Sequence, residues 1–158
     1  MKLPFVQWLI QGIPECIAVF VLGLALVEKK VLLRKALIPG LIQAIIIFVI
    51  RQFPLHSGLH TLVGFFSASF LFLCFAGITY SRALVIALFV QTALGLSEYI
   101  IFSAAAYVLK LSLETIMSRQ LLAILIGLPH VFILFFLSFL VAHLRQDEKS
   151  RDDLQAQG

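Results

Sequence analysis

Glu15, Glu98 and His130 each fall near the middle of an apolar stretch of this chain. An ionisable group in hydrocarbon costs about 2.5–3.5 kcal/mol at the centre of a helix, so each calls for a partner or a task. Their neighbours sharpen the question. Gln7, Gln11 and Glu15 recur at every fourth position, which predicts one polar stripe along a helix. Gln91, Gly95 and Glu98 make a similar stripe further on. Gly127, Pro129 and His130 sit together, and Pro129 removes a backbone hydrogen bond, which predicts a kink. Gly12 and Pro14 do the same beside Glu15.

Two chemistries fit such a set. In one, Glu15, Gln11, Gln91, Glu98 and His130 line a polar cavity, open toward the outer face, that binds a ligand or passes a proton. In the other they are interhelical glue, with Glu15 hydrogen-bonded to Gln91 or His130 to lock a bundle. Glue weighs slightly more of the two; within the cavity reading Glu15 with Glu98 is the pair expected to carry it, because one buried carboxyl is readily structural and two are harder to dismiss.

Other motifs point to less. His56 and His60 are four apart in an outer turn punctuated by Pro54 and Gly58. A metal site would need a third ligand, and no nearby Asp, Glu or Cys supplies one. Cys16 and Cys74 lie in apolar runs, where a thiol behaves as a small hydrophobe. There is no HExxH, no GxSxG and no phosphate-cradling glycine loop, and Ser97 beside Glu98 is not a triad. The expectation is a chain that is not an enzyme and carries neither metal nor cofactor.

The elements that hold these residues follow from composition. Of 158 residues 61% are hydrophobic and 13% charged, with a mean hydropathy of +1.07. That is too few charges to clothe a water-soluble surface, where about 25% is usual. Lipid must do the covering. Five apolar stretches, near residues 3–27, 36–53, 59–79, 83–109 and 120–143, are each long enough to cross a bilayer. With no water to satisfy it, backbone in hydrocarbon must be helical, so an all-α polytopic bundle is expected over residues 1–143. Residues 144–158 form a short charged tail, either a solvated helix extension or an irregular end. Gln7, Gln11 and Glu15 interrupt the first stretch and no small-residue cleavage site follows it, which argues for a retained helix rather than a signal peptide.

Charge sets the direction. With five spans, one side holds Lys29, Lys30, Arg34, Lys35, Arg82, Arg145, Lys149 and Arg151. The other holds only Lys2, Arg51, Lys110 and Arg119. The positive-inside rule then places the N-terminus outside and the C-terminus in the cytoplasm. The net charge of +4 reflects this asymmetry rather than nucleic acid. Trp8 and Tyr80 suit interfacial depth, and residues 110–119 read as a short amphipathic outer connection with Leu111, Leu113 and Ile116 on one side.

Two segments, RQFPLHSGLHTLVGFF and SRQLLAILIGLPHVFILFFLSFLV, resemble the transmembrane sensor region of Gram-positive receptor histidine kinases of the accessory-gene-regulator type. The match reaches Pro54, Gly58 and His60 in the outer turn and Gly127, Pro129 and His130 in the last span. The resemblance implies a dimeric receptor in a bacterial cytoplasmic membrane that senses a peptide or other amphiphile and signals to a cytoplasmic kinase. The sequence departs from that family where it ends at Gly158, without the phosphorylated-His helix or the ATP-binding domain. The expectation is therefore a non-enzymatic sensor or regulatory subunit that acts through a partner. Two other classes stay open. One is a small substrate-binding subunit like the S-component of energy-coupling-factor transporters, although those usually have six helices. The other is a structural subunit of a larger membrane complex.

Overall fold

The computed structural model describes residues 5–27, 33–53, 57–110, 115–116 and 120–155. Among them there is no strand. Helix α1 spans Phe5–Val27, α2 Leu33–Gln52, α3 Ser57–Ala76, α4 Tyr80–Leu109 and α5 Gln120–Gln155. All five contain a segment long and apolar enough to cross a membrane.

Helix α1 is the axis of the bundle. It packs against each of the other four helices, while α2, α3, α4 and α5 follow one another around it in chain order. Half of its apolar window is buried, against 17% for that of α4. The outer helices instead turn large apolar side chains outward, among them Phe70, Val85, Leu121, Phe132 and Phe139, each more than 60% exposed. A water-soluble monomer rarely shows so continuous an apolar surface, and a bilayer covers it without cost.

The interior divides along α1. Its second half, Ala18 to Ala25, is dry and close-packed: Ala18, Val19, Phe20, Leu22 and Leu24 meet Ala36 of α2, Ala68, Leu71 and Phe72 of α3, Ala83, Ala87 and Val90 of α4, and Val131 and Leu134 of α5. Phe20 and Phe72 stack with centroids 4.5 Å apart. Small residues set the helix spacing. A Cβ on Gly40 would come within 2.8 Å of the Ile17 Cα, so α1 and α2 touch backbone to backbone there. A Cβ on Gly23 would meet the Phe72 ring at 2.2 Å. The first half of α1 is the polar half.

Helix boundaries differ from the sequence expectation for local reasons. Helix α3 stops at Ala76 rather than near residue 79, because Gly77 adopts φ +62° and ends it in the left-handed region. Helix α4 then starts at Tyr80, with the Ala83 N–H donating to the Thr79 carbonyl. Helix α2 begins at Leu33 and continues through Pro39, which is buried within it. The backbone of α5 remains helical through the charged tail to Gln155, the helical extension that was one of the two readings of that segment. Of the outer connection, Ile116 is fully buried, and the apolar partners expected for it at Leu111 and Leu113 lie outside the described residues.

Candidate functional site

The polar half of α1 is built by a local irregularity. Pro14 has no N–H to give the Ile10 carbonyl, and its ring crowds that carbonyl. The chain responds with a π-helical segment, Trp8–Gly12, closed by the Ile13 N–H donating to the Trp8 carbonyl. This has a consequence for the stripe. In a regular α-helix, side chains four apart drift about 40° around the axis, so Gln7 and Glu15 would diverge. A π-turn winds less per residue and cancels that drift. Gln7, Gln11 and Glu15 consequently line one cavity.

That cavity opens between α1, α2 and α4. Its walls are Gln7, Trp8, Gln11, Gly12, Glu15 and Cys16 of α1, Ala44, Ile47 and Arg51 of α2, and Glu98 of α4. The space open to water centres is about 70 Å³, room for on the order of five waters. Two carboxylates and one guanidinium therefore face a single small volume in an otherwise apolar bundle.

The indole of Trp8 is fixed at its rim. Its Nε1–H donates to the Ala44 carbonyl at 2.8 Å, joining α1 to α2, and its ring packs against Phe48 at 4.7 Å and Phe5 at 5.5 Å. Behind the cavity, His130 of α5 is fully buried, with Nε2 3.4 Å from Glu15 Oε2. That is an ion-pair distance, longer than a tight hydrogen bond. Gln11 is 6% exposed, and its Oε1 is buried without a hydrogen-bond partner. Its amide lies against Gly127 of α5, where an added Cβ would fall 2.3 Å from Nε2. Glycine at 127 is what leaves room for it.

Of the residues singled out in the sequence, Glu15, Gln11 and Glu98 come together in the cavity wall, and His130 joins them through Glu15. Gln91 is not among the wall residues. It shares a helix face with Glu98, but seven residues put it about 10 Å along the axis, toward the dry half of the bundle. His60 lies in the first turn of α3, half-buried, and α3 contributes nothing to the cavity wall among the described residues. His56 and Pro54 lie outside the described residues.

Sequence reasoning missed Arg51 as a wall residue, counting it only as an outer charge. Its position at a helix end gave little signal, since a cation there ordinarily reaches the interface by itself. Trp8, read as an interfacial anchor, also lines the site. A second polar node was left unread. Gln43 of α2 donates from Nε2 to the Gly64 carbonyl at 3.0 Å and accepts from Ser67 Oγ at 3.0 Å, cross-linking α2 to α3. There both ends of the Gln43 amide are hydrogen-bonded to α3, which is what glue looks like.

Compared with known proteins, the chain matches no family model, no curated protein and no solved structure.

Proposed function

We propose that the chain is a multi-pass protein of a bacterial cytoplasmic membrane, N-terminus outside and C-terminus cytoplasmic, and that it works as a non-enzymatic sensor or regulatory subunit. A small ligand, or one end of a peptide ligand, enters the cavity from the outer side. The observation that carries this reading is the shared space of Glu15, Glu98 and Arg51 at the end of α1 that the charge pattern places outside. Glue needs closed contacts, as at Gln43; these three groups face an opening instead.

Helix α5 supplies the route to a partner. It holds His130 against Glu15 near the cavity, contributes Val131 and Leu134 to the dry core, and runs on to Gln155. A ligand that moves Glu15 displaces the contact α5 makes with α1, and the helix carries that displacement toward the cytoplasm. The resemblance to accessory-gene-regulator-type sensor regions supports the same direction of signalling and implies a kinase partner and a homodimer.

The test is a mild-detergent pull-down of tagged protein from its native membrane, with co-purifying proteins identified by mass spectrometry. Recovery of a kinase or response regulator supports the sensor reading. Recovery of a transport ATPase replaces it with a substrate-binding transporter subunit, and recovery of a fixed multi-subunit membrane complex replaces it with a structural role.

A further inference from the structure

We propose that a second space, the groove between the end of α1 and the start of α4, seats one anionic phospholipid of the cytoplasmic leaflet with its phosphate on Arg82. The proposal is independent of the outer cavity. It rests on the bundle lying in a bilayer in the direction the charge pattern gives.

Shape is the first argument. The groove holds about 520 Å³, within the range of about 300–1,000 Å³ usual for small-molecule sites. Ser81 and Arg82, in the first turn of α4, form its polar end. Val85 and Ile86 lie one turn further along α4, about 6 Å deeper, and Val27 and Ile78 complete the apolar wall. A phospholipid presents the same order from the interface inward, an anion and then an acyl chain. Val85 is 67% exposed on the apolar surface, so the deep end is open to the surrounding bilayer.

Charge is the second. Arg82 is exposed and makes no ion pair among the described residues. Neither the described wall nor the first turn of α4 holds an acidic side chain. Glu28 follows Val27 in the chain, and Lys29 and Lys30 follow Glu28. Over this whole end of the protein, the eight Lys and Arg side chains named above stand against five acids, Glu28, Asp147, Glu148, Asp152 and Asp153. The excess of positive charge therefore survives a full count.

A guanidinium without a carboxylate takes a phosphate through two parallel N–H donors, and the Ser81 hydroxyl in the same wall can donate a third hydrogen bond. A basic pocket between membrane helices on the cytoplasmic side is matched to an anionic head group. Free phosphate would leave the apolar half of the groove unfilled, and a zwitterionic lipid would bring its own ammonium toward Arg82.

The experiment is native mass spectrometry of the full-length protein released from mixed micelles of phosphatidylglycerol and phosphatidylcholine with matched acyl chains. One retained phosphatidylglycerol per chain is expected, preferred about fivefold or more, the worth of one basic side chain beside an anionic lipid surface. Arg82→Gln is expected to erase the preference. Arg34→Gln, which removes a charge from the same end outside the groove wall, is expected to leave it intact. Should Arg82→Gln fail to insert, Arg82→Lys keeps the charge and loses the planar fork, and is expected to weaken retention several-fold. Equal retention of the two lipids overturns the proposal. Equal losses from Arg34→Gln and Arg82→Gln overturn it in favour of diffuse attraction to the basic end. Displacement of the lipid by excess inorganic phosphate overturns it in favour of a soluble anion.

Discussion

His130 of α5 places its Nε2 3.4 Å from Glu15 Oε2 of α1, in a side chain with no exposed surface, so the two helices that share the longest interface also share an ion-pairing contact. In a lipid-embedded bundle such a contact contributes roughly 0.6–2 kcal/mol, because the separated helices find other polar partners. A double-mutant cycle of Glu15→Gln and His130→Leu, followed by thermal unfolding in detergent, is expected to give a coupling energy in that range. Additive single effects would show that the two groups do not act together.

Gly23 and Gly127 look alike in the sequence and are expected to behave differently. At Gly23 the intruded neighbour is the fully buried Phe72 ring, itself stacked on Phe20, and nothing there can give way. Gly23→Ala is expected to lower stability by about 1–3 kcal/mol, the usual cost of overpacking, and Phe72→Leu to restore part of it. At Gly127 the intruded atoms are the far end of the Gln11 side chain. Gly127→Ala is expected to be milder in unfolding temperature and to alter Trp8 emission, because the displaced amide lies in the cavity wall.

Trp8→Phe separates the ring from its N–H. The variant keeps aromatic packing on Phe48 and loses the bond to the Ala44 carbonyl. A loss of about 1 kcal/mol is expected by thermal unfolding. No measurable change would show that the bond is not formed in the lipid-embedded protein.

The direction of insertion has its own check. A reporter that is active only in the cytoplasm, fused after Gly158, is expected to be active, and one fused before Met1 to be silent. The reverse pattern would turn the cavity to the other face and remove the outer ligand.

The helices were legible in the sequence because apolar runs of span length leave the backbone one solution. The polar stripe of α1 was legible as a spacing, but its alignment depends on the π-turn that Pro14 induces, and periodicity alone does not register that. Glu15, Gln11, Glu98 and His130 were marked by the cost of polar groups in apolar stretches. Gln91 carried the same mark and falls elsewhere, because a helix face does not specify depth. Arg51 was hidden by its position at a helix end, where a cation reads as an anchor. The close approaches at Gly23, Gly40 and Gly127 were invisible, since a glycine's neighbours come from other helices.

The central claim, that Glu98 faces an opening on the outer side while its neighbour faces lipid, is tested most directly by cysteine accessibility. In a Cys16→Ala, Cys74→Ala background, Glu98→Cys and Tyr99→Cys are compared in intact cells with a membrane-impermeant cationic thiol reagent. Tyr99 is 68% exposed on the apolar outer surface of α4 and serves as the lipid-facing control. The account predicts that Glu98→Cys reacts from outside and Tyr99→Cys does not. An inert Glu98→Cys, or one that reacts only after the cytoplasmic face is opened, would contradict it.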